Sequence, residues 1–462
     1  MPITVLGGTK VADTTFSVAN SCRFNDGDSP FHEKTPGSDG NRKIFSMSVW
    51  IKLGVLGTAR NIMSAGSNSN NVAAIDLSTA DRLGFWEYDG NTDYSLLTTR
   101  KLRDPSAWYH ILCVLDTTQG TAANRAKIYI NGVQETDLTT DTYPSEDYEG
   151  LVNTQIAHRV GKYGWNSANH FDGYMAEFVF IDGTAYGPTD FGEFDEDSPR
   201  IWKPKDVSGL TFGTNGFYLD FEASDNLGND ANGGTDLTES GLDATDQATD
   251  TPTNSFCVMN PNDNYYSVNT LSQGNCAVTC GSNQAMQTAT IGVTSGKWYF
   301  EYIVNFDSSY SNTGITSKPA SGTGVFVGHG DAVPSYGYKA SDGDIVYNGS
   351  DVAYGSSFSS GAKVGCYIDL DNNKLYFAVN GTIQNSGTGH SITAATYFPA
   401  LAQYDNTTTY TMNFGGCPAF AISSGNTDDN GYGNFEYSPN ITGDGSAKSF
   451  YAICTKNLAE FG

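Results

Sequence analysis

The sequence predicts an all-β chain built as two antiparallel β-sandwiches in series. Three observations carry that reading. First, Trp108-Tyr-His-Ile-Leu-Cys-Val-Leu-Asp116 and Lys127-Ile-Tyr-Ile-Asn-Gly-Val-Gln134 read as strands, the second turning back at Asn131-Gly132. Both central residues of a type I′ hairpin need positive φ, which Gly adopts freely and Asn tolerates. Second, the pattern returns far downstream, where Val364-Gly-Cys-Tyr-Ile-Asp369 leads into Lys374-Leu-Tyr-Phe-Ala-Val-Asn-Gly381. Third, runs with a 3.6-residue period are absent. Short alternating runs bounded by Gly, Asn, Asp and Ser replace them, among 52 glycines and 13% aromatic residues.

With 462 residues the chain has room for two or three domains, each with its own core. Its 51 acidic and 25 basic residues give a formal charge of −26. Such a surface repels phosphate backbones and anionic bilayers, which argues against nucleic-acid binding and membrane insertion. It suits solubility, divalent cations or dense packing in an assembly. Met1-Pro-Ile-Thr-Val-Leu-Gly7 has neither the basic nor the apolar region of a secretory signal, so the chain is expected to be made in the cytoplasm. Apolar runs such as Ile111 to Leu115 are too short to span a bilayer. Eight cysteines are scattered, and Cys276 and Cys280 have no nearby His or second pair to complete a zinc site. Reduced structural thiols are expected.

Taken in order, Ser17 to Phe24 reads as an edge strand, and Asn25 to Asn41 as a loop rich in Asp, Gly and Pro. Ile44 to Ile51 is a strand with Phe45, Met47, Val49 and Ile51 on one face. Ile62 to Ala65, Val72 to Leu77 and Leu83 to Tyr88 follow at strand-and-turn spacing, and then comes the first hairpin. Thr154 to Gly161 and Phe171 to Gly183 give two more strands. In the latter, Tyr174, Ala176, Phe178 and Phe180 alternate with Met175, Glu177, Val179 and Ile181. Both faces are apolar, as in a central strand. From Glu222 to Thr253 apolar content collapses, predicting a solvated linker or a loop folded around a cation or a neighbouring subunit. Gly296 to Tyr302, Val325 to Gly328, Ile345 to Gly349, the second hairpin, Tyr397 to Leu401 and Tyr410 to Phe414 form another strand set. Ser449 to Cys454 is a last strand after a Gly- and Asn-rich tail. Trp50, Trp108 and Trp298 lie in strand patterns and are expected in cores.

Two resemblances rest on these residues. Ser21-Cys-Arg-Phe-Asn25, Asn41 to Lys52, Trp108-Tyr-His110, Ile128-Tyr-Ile-Asn-Gly132 and Phe171-Asp-Gly-Tyr-Met-Ala-Glu177 stand in an order that resembles the laminin-G-like, concanavalin A-like jelly roll. More narrowly, it is similar to the version found in structural proteins of tailed phages of marine bacteria. Gly296-Lys-Trp-Tyr-Phe-Glu301, a Gly-rich middle, Asp369-x-Asp371 and the Tyr376-Phe377 strand with its Asn-Gly turn resemble a SPRY domain. The organisation expected is an N-terminal arm at 1–15, a jelly roll at 16–222, an acidic polar linker at 223–255, a SPRY domain at 256–420 and a closing segment at 421–462. The resemblance implies a virion protein of the tail fibre or capsid surface. It would be a non-catalytic adhesin that binds host cell-surface carbohydrate or another receptor. A purely structural decoration or fibre protein is the alternative. Other virion proteins are implied as partners and a homo-oligomer, a trimer foremost, as the assembly.

Catalytic chemistry finds little support. Glycosidases on the concanavalin fold need paired carboxylates, set as Glu-x-Asp-x-x-Glu on one strand. Glu193-Phe-Asp195-Glu-Asp-Ser198 ends in Ser where the last Glu belongs and lies in a Pro- and acid-rich stretch. No G-x-S-x-G or His-Glu-x-x-His occurs, and Gly292-Val-Thr-Ser-Gly296-Lys297 is one residue short of a P-loop and leads into a strand. Asp369 to Asn373 begins like a Ca²⁺ loop, but Lys374 stands where Gly is required and Asn380 where Glu is, so a hairpin turn is expected. No cofactor is implied. Laminin-G-like domains hold a structural Ca²⁺ at the sandwich rim in some cases, and Asp172 is the residue the resemblance points to. Binding aromatics are sought beside Gly and polar residues, in or next to loops. Trp86, Tyr88, Tyr163, Trp165, Tyr336 and Tyr338 meet that description.

Overall fold

The computed structural model describes residues 16–462 except 167, 264–268, 282–284, 306–310, 318–326, 330–333, 404–407, 418 and 443–446. The expected N-terminal arm at 1–15 therefore lies outside the described residues, as does Val325-Phe326. The chain divides into two compact units that meet between Thr253 and Asn254. Each is built on two large, mainly antiparallel sheets.

In the first unit one sheet runs Val133–Gln134, Ala126–Ile130, Trp108–Asp116, Ile44–Leu53, Gly173–Asp182, Ser21–Phe24, Gln247–Ala248. The facing sheet runs Leu138–Thr142, Thr92–Lys101, Arg82–Asp89, Asn71–Leu77, Arg60–Asn68, His158–Val160, Phe31–Lys34, Thr238–Ser240. The alternation read from the sequence selects the core. Phe45, Met47, Val49 and Ile51 face Ile62, Ile75, Phe85 and Leu96 across the sandwich. Asn131 and Gly132 both have positive φ (49° and 78°), and Val133 pairs with Ile130, which is the two-residue turn expected there.

The central strand Gly173–Asp182 breaks its own alternation. Its register shifts between Ala176 and Val179, where Glu177 takes φ 51°. The extra residue of this β-bulge switches the phase, so Met175, Phe178 and Phe180 all reach the core while Val179 and Ile181 face outwards. Glu177 is buried and accepts a hydrogen bond from the Tyr218 hydroxyl at 2.6 Å. Burial pushes its carboxyl up to about 8 from an ordinary 4.5. The folded state thus holds a proton that the unfolded chain releases, and stability falls as pH rises from about 4.5 to 8. Glu177→Gln is expected to raise the first unit's stability by about 1–3 kcal/mol at pH 8 and to leave it unchanged near pH 4.5. Urea denaturation at the two pH values checks this, and an equal effect at both would refute it.

Of the stretch 223–255, expected as a solvated linker, residues 223–253 are part of the first unit. Leu227 and Leu237 enter its core, and residues 238–240 and 247–248 extend the two sheets. Its polar residues have internal partners. The Asp230 carboxylate accepts from the Tyr218 amide at 3.0 Å, Asp246 pairs with Arg23 at 3.0 Å, and Asp250 pairs with Lys52 at 2.6 Å. Polar composition here reflects capping and ion pairing as well as solvent exposure, which is continuous over residues 231–236.

Among the described residues the second unit pairs a nine-stranded sheet centred on Lys297–Asn305 and Lys363–Asp369 with a six-stranded sheet that includes Phe398–Gln403, Ser311–Thr316 and Ser335–Lys339. Asn380 and Gly381 repeat the positive-φ turn (46° and 77°). Asp369 and Asp371 accept backbone N–H groups of Asn372 and Gly296 at 3.0 and 2.9 Å, which accounts for them as turn residues. Tyr451–Ala452 lies parallel to Lys297–Asn305, and the helix Thr455–Phe461 follows it. Trp298 sits in this core, whereas Trp50 and Trp108 are buried outside the inter-sheet core of the first unit. All eight cysteines are buried. No described helix is long and apolar enough to cross a membrane.

Candidate functional site

Three of the sequence-selected aromatics converge. In strand Arg82–Asp89, Leu83 and Phe85 point into the core and Glu87 follows them inwards, so Gly84, Trp86 and Tyr88 share the outward face. Pairing places Ala74 and Ser95 on either side of Trp86, and Val72 and Thr92 on either side of Tyr88. The loop after His158–Val160 folds back over this face. Arg159 hydrogen-bonds the carbonyls of Gly66 and Gly164, the Ser64 hydroxyl donates to the Lys162 carbonyl at 2.7 Å, and Gly164 packs on Val72 with no space for a side chain. Tyr163 is thereby set against Trp86, with ring centroids 6.3 Å apart at 36°. Between loop and sheet lies an open cleft of about 200 Å³, lined by Ser69, Val72, Trp86, Tyr88, Thr92, Ser95 and Tyr163. Rings for stacking and hydroxyls for hydrogen bonding therefore border one concavity.

Asp76 escaped the sequence reading and belongs beside this cleft. It faces Gly84 across the strand pair, and the missing side chain there leaves it room: a Cβ on Gly84 would come within 2.5 Å of its Oδ1. The Trp86 side chain, which can only donate, hydrogen-bonds its carboxylate. Burial still pushes the Asp76 carboxyl up to about 6 from 3.8. The signal that could have found it is a lone carboxylate in the apolar run Val72-Ala-Ala-Ile-Asp-Leu77.

The other candidates fall elsewhere. Trp165 is 44% exposed, two residues beyond Tyr163, and is not among the residues lining the cleft. Tyr336 and Tyr338 are corrected from loop to core: both lie in strand Ser335–Lys339 at 1% and 0% exposure. Tyr338 stacks on Phe377 with centroids 4.7 Å apart, and Tyr336 on Tyr347 at 4.5 Å. Gly337 marks a close cross-strand pairing with Gly314, not a turn. Asp172 is buried and its Oδ1 accepts the Val55 amide at 2.9 Å, while burial raises its carboxyl to about 6. Among the described residues it does not belong to a group of three metal-ligating side chains. The group that does occur, Asp342, Asp344 and Asp351, is bridged by Lys339, which pairs with Asp342 and Asp351.

Two arrangements resemble catalytic pairs and differ from them chemically. Ser48 Oγ lies 2.8 Å from His110 Nε2, but the Trp202 indole donates to His110 Nδ1 at 3.1 Å. The neutral ring then carries its proton on Nε2 and donates to Ser48, so it cannot take the hydroxyl proton. Burial holds this imidazole down to about 3. Glu193 and Asp195 both pair with Lys203, at 3.4 and 3.5 Å, on a two-stranded hairpin, and Asp195 also caps the Asp197 and Ser198 amides.

Comparison with known proteins agrees with this architecture. Residues 29–185 match the Laminin_G_3 family, described as the Concanavalin A-like lectin/glucanases superfamily, and residues 297–417 match the SPRY domain. The chain therefore carries a concanavalin-like domain followed by a SPRY domain, two folds of the binding type. It is similar to a probable ATP-dependent RNA helicase, ddx1, of Dictyostelium discoideum, 31% identical over 116 residues. That match covers 24% of this chain and 14% of the helicase, so the chain spans about a seventh of that relative. Among solved structures it is similar to the SPRY domain of human HERC1, with 19% identity, 35% of this chain and 99% of that one covered, and a TM-score of 0.30. It is also similar to a putative carbohydrate binding protein from Bacteroides ovatus, with 17% identity, 49% and 58% coverage, and a TM-score of 0.33.

Proposed function

We propose that this chain is a non-catalytic attachment protein whose first domain holds cell-surface carbohydrate in the Trp86–Tyr88–Tyr163 cleft. The observation that carries the reading is the convergence of three rings from two separate segments on one concave sheet face, with hydroxyls between them. Sugar rings present apolar C–H faces that stack on aromatic side chains, and their hydroxyl groups match Ser69, Thr92 and Ser95. The lectin description of the matched family supports the same class. The virion setting, with other virion proteins as partners and a trimer as the assembly, rests on the order of the sequence motifs.

A glycan array probed with the full chain tests this reading. The parent protein should bind a defined set of glycans, and Trp86→Ala should weaken that binding at least about tenfold, the loss of one stacking platform. Trp165→Ala should have a smaller effect, because Trp165 stands outside the cleft lining. A parent protein that binds no glycan on the array sinks the proposal and favours a purely structural role.

A further inference from the structure

We infer that the cleft prefers a sugar bearing a free, protonated amine over its neutral counterpart, with the ammonium group held between Asp76 and the rings of Trp86 and Tyr163. This inference rests on the carbohydrate reading above and narrows its ligand class.

The first observation is position. Asp76 stands on the same sheet face as Trp86, two residue pairs along and just beyond the cleft lining on the side away from Tyr88, and is hydrogen-bonded to the Trp86 side chain. Burial makes the Tyr163 phenol harder to ionise, and the nearby Asp76 charge adds to that effect. The carboxylate thus sits against two ring systems, which is the environment that attracts a cation through both charge and ring quadrupole.

The second observation is that the neighbouring cations are committed elsewhere. Arg159 Nε pairs with Glu33 at 2.7 Å, and its Nη1 reaches the Gly66 and Gly164 carbonyls. The Lys162 ammonium lies 4.1 Å from the centre of the Phe31 ring. What governs Asp76 is its burial, opposed by the Trp86 hydrogen bond. No cation of the described residues acts on Asp76 beside those two effects, and a carboxylate half-shielded from water gains more from an incoming ammonium than an exposed one would.

The third observation is the rim. Asp89 and Asp93 stand at the hairpin end beyond Tyr88, where the Asp89 amide donates to Asp93 Oδ2 at 2.9 Å. They keep the approach to the cleft negative, which raises the local concentration of a cationic ligand and repels sulfated or carboxylated sugars.

Calorimetric titration of the full chain with a glucosamine tetramer and with its N-acetylated counterpart, at about pH 6.5, separates the possibilities because both oligomers share one backbone. The amine form should bind about tenfold more tightly, and added salt should shrink the difference. Asp76→Asn should erase the preference, bringing the two oligomers to the same affinity, and an unaltered melting temperature would certify its fold. Equal affinities for the two oligomers, or a preference retained in Asp76→Asn, overturn the inference and leave the carbohydrate reading standing. Binding of neither oligomer, when the array identifies other glycans, overturns the inference alone. A protein that binds no glycan in either experiment loses both readings.

Discussion

Replacing Asp250 by alanine is expected to cost the first unit about 3–5 kcal/mol, the usual penalty for stranding a buried charge. Asp250 Oδ2 lies 2.6 Å from the Lys52 ammonium, with the two side chains 1% and 0% exposed. Its other oxygen accepts the Trp108 indole N–H at 3.0 Å, and its backbone carbonyl accepts the Ser21 hydroxyl at 2.6 Å. Removing the carboxylate takes this anion from a fully buried ammonium and this acceptor from the indole donor. The double variant Lys52→Met/Asp250→Leu should recover most of the loss, since apolar residues of similar size can replace a buried pair without penalty. Urea denaturation of the three proteins checks both statements. A loss under about 1 kcal/mol for Asp250→Ala would mean that residues 250–253 add little to the unit.

The second large effect belongs to Glu301, in the core strand of the SPRY domain. Its Oε1 accepts the Glu436 amide at 2.7 Å and the Asn413 side-chain amide at 2.8 Å. Its Oε2 accepts the Tyr299 hydroxyl at 3.0 Å and the Tyr437 amide at 3.3 Å. Burial raises this carboxyl, and the hydrogen bonds oppose the rise. Glu301→Ala leaves these donors without the carboxylate, each worth about 1–3 kcal/mol when buried and unsatisfied, so the expected loss is about 3–5 kcal/mol. Glu301→Gln keeps the acceptor oxygen and should lose less. Hydrogen exchange gives the sharper readout: protection of the Glu436 and Tyr437 amides should drop in Glu301→Ala before the remainder of the sheet loosens. Unchanged protection there would show that the carboxylate does not hold the closing segment.

Both effects sit where local reading of the sequence is weakest. The period-two run from Ile44 to Ile51 and the two Asn-Gly turns are short-range signals, and the structure follows them closely. Trp86 and Tyr88 were legible for the same reason: two residues apart, they share a face, and Leu83 and Phe85 identify the opposite face as the core. Tyr336 and Tyr338 follow the same alternation, but which face a strand buries depends on the sheet that covers it, and that partner is remote in sequence. The bulge at Glu177 was hidden because the strand is apolar on both faces, so a shift of phase leaves no mark in the pattern. Residues 223–255 misled through composition, since an Asp that anchors a lysine and an Asp that meets water are the same letter. Asp76 needed the cross-strand neighbour Gly84 to become meaningful.

The closing segment also has a temporal consequence. Phe450, Ile453 and Leu458 belong to the cores of the second unit, and Tyr451–Ala452 pairs with its central strand. That unit cannot close until nearly its last residue has been synthesised. The first unit has all its strands once Thr253 is made, roughly 200 residues earlier, which is on the order of ten to forty seconds at typical elongation rates. On the ribosome, then, a finished first sandwich would emerge ahead of a still-open second one, whose incomplete sheet is the stage most exposed to association with other nascent chains.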